Sequence, residues 1–343
     1  MAVCSADLPK IKGMSLATLV DALDWLPQNY GHLDASTEHR VPDRYYSPGF
    51  IAAFAAYLTH KNVPRESVVF DNENHEGYFS AVGLAKAVWG VDDYQYERKN
   101  AGVNYAPLTS LASQDEVDQA TAQINSCLRA YASSGAADYS RSPAFKELTH
   151  VVGEMHDNVW SHGLSTGFSV AQRQAIRRDS GHAIEFSLAD CGMGFLEELK
   201  RSRIAGTKGI ISDRHAVEWC IQEGNSSKLA KLQDEWAQSV PDDFLGASPY
   251  GSTEVVTSGN GNHHQGLGLA KLVELAKSYE GVLNIASGDC LMMMRRGYEP
   301  AFRKLKRPWQ GVAVSLSLKE SSLMAAKVVE SEDVRDIMNL LRG

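Results

Sequence analysis

The 343-residue chain is 43% hydrophobic with a formal charge of −8, long enough to bury a sizeable core and expected to form two domains, since one core seldom exceeds about 250–300 residues. The acidic balance argues against a nucleic-acid surface, a local basic run at 295–306 notwithstanding. No stretch reaches the roughly 20 apolar residues of a membrane span, residues 1–20 lack a signal-peptide core, and the scattered Cys4, Cys127, Cys191, Cys220 and Cys290 give no zinc framework, which together predict a cytoplasmic protein.

Residues 14–26 read as an amphipathic helix, with Leu16, Leu19, Val20 and Leu23 opposite Asp21 and Asp24. An Ala-rich helix over 50–58 is entered through Ser47, Pro48 and Gly49. SVVFDN at 67–72 reads as a short buried strand, and the helix after it, 76–89, is closed by Gly90. This alternation predicts a small α/β domain over 1–105. Residues 106–140 read as a helix, 114–131, followed by a small-residue linker at 133–140.

The segment FKELTHVVGEMHDNVWSHG, 145–163, places Glu154, Asn158 and His162 at i, i+4 and i+8. They form one polar stripe on a helix whose other side carries Leu148, Val151, Val152, Met155 and Val159. In HAIEFSLAD, 182–190, Ile184, Phe186 and Leu188 alternate with Glu185 and Ser187, the pattern of a half-buried strand. It runs into a DxGxG turn at Asp190, Gly192 and Gly194. From 195 to 265 the pattern is polar and irregular, with one clear helix at 213–222 and a Gly/Ser/Pro-rich part at 240–261. Gly266, Leu267, Gly268 and Leu269 then open a helix that runs to 279. Strands are predicted at 282–286, 290–294 and 311–318, and an amphipathic helix at 332–341.

Singly these motifs are weak, but their order is specific. ExxxN on a helix, DxGxG after a strand, GLGLA opening a helix and GVLNIASGD on a strand resemble the Bergerat fold of the GHKL superfamily, the ATP-binding fold of histidine kinases, anti-sigma-factor serine kinases and gyrase. The likeness covers 145–318. It implies an α/β (α+β) two-layer sandwich with helices on one face of a mixed sheet over 141–320 and a long ATP lid over 196–265; the segment 321–343 beyond it holds the amphipathic C-terminal helix. It also implies ATP and Mg²⁺ as cofactors, with Glu154 as the catalytic base and Asn158 as metal ligand and nucleotide contact. His162 would lie near phosphate, Asp190 would accept from the adenine amino group above Gly192 and Gly194, and Gly266, Leu267, Gly268 and Leu269 would surround the triphosphate.

The chemistry of each residue type agrees. A neutral amide oxygen suits Mg²⁺, and an ionised carboxylate, being acceptor-only, selects adenine's N6 donor over guanine's carbonyl. Glycines let the backbone approach a ligand, and a helix start offers free N–H groups to anions. Two departures stand out: Gly311–Val312 replaces a common Gly-Thr, and His263 and His264 precede the second glycine box.

The N-terminal region is faintly similar, over about 60 residues, to STAS domains. Ser80 lies near the serine that is phosphorylated there, although the usual Asp-Ser or Ser-Ser is absent. Few residues follow 318, and 114–131 contains no histidine, so the nearest GHKL type is the anti-sigma-factor serine kinase. The reaction implied is transfer of the γ-phosphoryl of ATP to a protein hydroxyl, or ATP hydrolysis, in a bacterial regulatory system. A non-catalytic ATP-gated switch or scaffold is the alternative. The partner implied is a regulatory protein, pairing as a homodimer stays open, and neither membrane nor nucleic acid is expected.

Overall fold

The computed structural model describes residues 16–132, 142–159, 166–176, 181–223, 225 and 268–325. The N-terminal elements are β1 (Leu16–Ala17), α1 (Leu19–Asn29), β2 (His39–Val41), β3 (Tyr45–Tyr46), α2 (Pro48–His60), β4 (Val68–Phe70), α3 (Glu73–Val82) and α4 (Leu84–Trp89). There follow β5 (Tyr105–Ser110), α5 (Gln114–Ala132), α6 (Pro143–Asn158), β6 (Gly167–Ala175) and β7 (His182–Asp190). The chain continues with α7 (Phe195–Arg201), α8 (Ile204–Lys208), α9 (Asp213–Cys220), α10 (Gly268–Ser278), β8 (Val282–Met294), β9 (Ala301–Lys319) and α11 (Glu320–Ala325). His162, Gly266, Leu267, the 133–140 linker, the 240–261 stretch and the 332–341 helix lie outside the described residues.

The α+β architecture is present, with two differences from expectation. The five-stranded sheet, ordered β5-β6-β7-β9-β8, is antiparallel at every pairing rather than mixed. Sequential neighbours β6–β7 and β8–β9 are joined by short connections, which impose antiparallel pairing. Helices also cover both faces of the sheet, not one.

On the front face, α5, α6 and α10 bury Ile124, Leu128, Leu148, Val152, Leu272 and Leu275 against Ile184, Phe186, Leu188, Val314 and Leu316. The back face is lined by small residues, Ser187, Ala189, Ala286, Ala313 and Ser315, so a helix can approach it closely. The occupant is α2, which is apolar all round and buried from Pro48 to Leu58. Beside it α1 packs, its first turn fixed by Asp21, which accepts from the Thr18 N–H at 2.8 Å. Their core includes Phe168, Val170, Leu305 and Trp309 from the sheet strands.

Of the segment 1–105 expected as a separate α/β domain, the described elements from β1 to α4 instead form the layer that closes the back of the sheet. Their own strands make only the two-stranded parallel pairs β1–β3 and β2–β4 among the described residues. The segment expected as helix and linker supplies the edge strand β5 and the front helix α5. The polar side of β7, expected to be half-exposed, is covered too: Glu185 accepts from the Gly49 N–H at 2.9 Å and the Ser47 hydroxyl at 3.0 Å, at the start of α2.

Local departures have simple causes. The helix expected over 76–89 starts at Glu73 under an Asn72 cap and breaks at Gly83, which is left-handed at φ 96°. Beyond the DxGxG turn, the irregular stretch folds into α7, α8 and α9 because Leu199, Ile204, Ala205, Ile210 and Ala216 gather into a small core of their own. Among the described residues, no helix is long and apolar enough to cross a membrane.

Candidate functional site

Ser142 caps α6, its hydroxyl accepting from the Phe145 N–H at 3.3 Å, and the apolar residues Leu148, Val151, Val152 and Met155 lock the helix into the front core. That registration places Glu154 under the start of α10. Its carboxylate is only 3% exposed, with His150 Nε2 3.1 Å away and Lys271 Nζ 3.9 Å away. A Cβ at Gly268 would lie 3.2 Å from Glu154 Oε2 and 3.3 Å from its Cβ. The bare backbone of Gly268 thus lets α10 close on α6 at this point. Leu269, the next residue, is buried in the front core, so what it can offer a ligand is its backbone.

Asn158 is the last residue of α6 and is half-buried. Val159 follows it and sits over Gly167, where a Cβ would meet Val159 Cγ1 at 2.5 Å and the Asp190 Cβ at 3.5 Å. Gly167 is the β6 partner of Asp190. The end of α6 therefore lies beside the end of β7, and Glu154, Asn158, Asp190 and Gly268 fall along one edge of the helix–sheet seam.

Asp190 is the most constrained residue of the set. It is 2% exposed, and its Oδ1 accepts from the Gly192 N–H at 2.8 Å. The Val312 N–H also donates to the carboxylate, while Trp309 Nε1 donates to the Asp190 backbone carbonyl at 3.0 Å. Gly311, at φ 89°, makes this possible: a Cβ there would lie 2.4 Å from Asp190 Oδ1 and 2.7 Å from the Gly192 nitrogen, so no other residue fits. Burial pushes the carboxyl up to about 7, even though the two N–H donors pull it down. The Gly-Val departure in the sequence is thus met by a backbone contact at the same place.

Gly194 caps α7, and the Phe195 N–H behind it donates to Ser287 Oγ at 2.9 Å. Further on, α9 is tied to β8 by Asp213, which accepts from the Asp289 N–H at 2.9 Å. His156 points away from this site, into the front core. It bonds Thr121 Oγ1 at 2.8 Å and Ser169 Oγ at 2.7 Å, and burial holds it neutral, down to about 3. It is a core histidine between α5, α6 and β6. Ser80, on α3, donates to Asp93 Oδ1 at 2.7 Å.

The structure thus brings together Glu154, Asn158, Asp190, Gly192 and Gly268, with Gly194 at the start of α7. Sequence reasoning missed His150, Lys271, Trp309 and Ser287. His150 was legible, since it stands four residues before Glu154 on the same helix face. Lys271, Trp309 and Ser287 reach the site only through tertiary packing. Compared with known protein families, with curated proteins and with solved structures, the chain matches none.

Proposed function

We propose that the chain binds Mg-ATP and either passes the γ-phosphoryl group to a hydroxyl on a protein or hydrolyses ATP, in a regulatory role. The observation that carries this reading is the convergence of three sequence-distant boxes on one seam: Glu154 against Gly268, and the α6 end against Asp190. Such a seam fits a nucleotide. A buried carboxylate with spare lone pairs, bare backbone at Gly192, and a glycine opening α10 suit a base at one end and phosphates at the other.

In this reading Asp190 orients the adenine amino group, and the backbone at Gly268 and Leu269 receives phosphate oxygens. Asn158 would hold Mg²⁺, which when bound supplies charge neutralisation at the phosphates. Glu154 takes the proton from the attacking hydroxyl or water, and Lys271 and His150 hold its carboxylate in place. The kinship with GHKL proteins, nearest the anti-sigma-factor serine kinases, belongs to the same proposal. A second reading, an ATP-gated switch that presents a surface to a regulatory protein, is favoured by α7–α9. These helices form a separate small core next to Asp190 and meet the sheet through Asp213.

Titration with ATP and Mg²⁺, together with γ-labelled ATP followed as free phosphate and as protein-bound label, tests both readings. Asp190→Asn is expected to weaken binding roughly 10- to 100-fold, the scale of one buried hydrogen-bond partner. Glu154→Gln is expected to keep binding and lose about 10²–10⁴-fold in turnover. Unchanged binding in Asp190→Asn would overturn the site. Binding by the wild type without label or phosphate selects the switch.

A further inference from the structure

A cavity lies in the N-terminal layer, between the β4 edge and helices α3 and α4. Its volume is about 320 Å³, inside the range of roughly 300–1,000 Å³ typical of small-molecule sites. Phe70 and Trp89, both partly exposed, face it as its aromatic wall; the fully buried Phe79 backs Phe70 at 5.1 Å between ring centroids, and the Trp89 indole is fixed by donation to the Val63 carbonyl at 2.8 Å. The polar wall holds Arg65, Glu66, Glu76, Ser80 and Asp93. Asp93 is fully engaged, one oxygen accepting from Ser80 at 2.7 Å and the other from Arg65 at 2.5 Å.

This pairing neutralises Arg65 within the wall. Glu66 and Glu76 then remain, and neither makes an ion pair among the described residues. The cavity thus offers an aromatic surface under two uncompensated carboxylates. That combination suits a compact organic cation, with its apolar body against the rings and its charge held by the carboxylates and the ring faces.

We propose that this cavity is a binding site for a small organic cation of the arylalkylamine type, separate from the Glu154–Asp190 seam. It does not depend on the nucleotide reading. The Ser80–Asp93–Arg65 chain shapes the floor, and Glu66 and Glu76 supply the sign selection.

The full chain would be titrated calorimetrically with 2-phenylethylammonium chloride, and with 3-phenylpropionate at the same ionic strength as the charge-reversed control. Saturable binding of the amine at one site, with none of the acid, is expected. The double variant Glu66→Gln/Glu76→Gln should lose about tenfold or more in amine affinity at an unchanged thermal midpoint, both side chains being exposed. Asp190→Asn should bind the amine as the wild type does, which separates this site from the seam. Absence of saturable amine binding, equal binding of amine and acid, or undiminished affinity in the double variant would each overturn the proposal.

Discussion

At Asp190, burial and charge pull against each other. Burial raises its carboxyl to about 7, well above its value in an unfolded chain, so the folded state retains a proton that the unfolded state gives up. Stability from this group is therefore fully present below about pH 4 and is lost as pH rises towards 7, with a slope of up to about 1.4 kcal/mol per pH unit. Asp190→Asn is expected to be the more stable apo protein, by a margin that widens from pH 4 to 7 and then stays constant; denaturant melts across that range measure it. If the carboxylate form accepts from adenine, nucleotide affinity runs the other way and rises through pH 7, and titration at pH 6 and pH 8 reads it. One residue with two opposed pH trends distinguishes a ligand contact from a packing residue.

Among the elements, α2 and β7 carry the least expected relation. The Glu185 carboxyl, raised by burial and drawn back by donors from Gly49, Ser47 and Ser187, pins the start of α2 to the centre of the sheet. Glu185→Gln keeps an acceptor and removes the charge, so its stability at pH 8 should equal or exceed that of the wild type. Glu185→Leu strands the Gly49 N–H and should cost about 1–3 kcal/mol; urea melts of the two variants compare them. Much of this fold was legible locally: the 3.6-residue period of α6, the alternation of β7 and the Pro48 start of α2 follow from side-chain size and backbone preference. What pairs with an element was not. The alternation Ile184, Glu185, Phe186, Ser187 reads the same whether water or α2 covers the polar side. The residues around Glu154 and Asp190 divide in the same way, with His150 visible from helical spacing and Trp309 dependent on a fold-back of more than a hundred residues.

At the scale of the whole molecule, the two halves share one sheet. A chain lacking residues 1–100 would bare Phe168, Val170, Ala189, Ala286, Leu291 and Trp309, now buried under α1 and α2. Contiguous apolar patches beyond a few hundred Å² are rare on soluble surfaces, and these six residues lie in one cluster. Such a chain is expected to aggregate or to bind a hydrophobic dye strongly, whereas soluble, dye-silent material from it would show the N-terminal layer to be dispensable. The place of β9 has a further consequence, for synthesis. It is the last strand in chain order among the described residues, yet it lies between β7 and β8, so β7 has an unfilled edge until residue 319 has left the ribosome. Completion of the sheet must wait for residue 319, and until then the nascent protein presents open strand edges and bare apolar faces, the condition in which chaperone dependence and aggregation during expression arise.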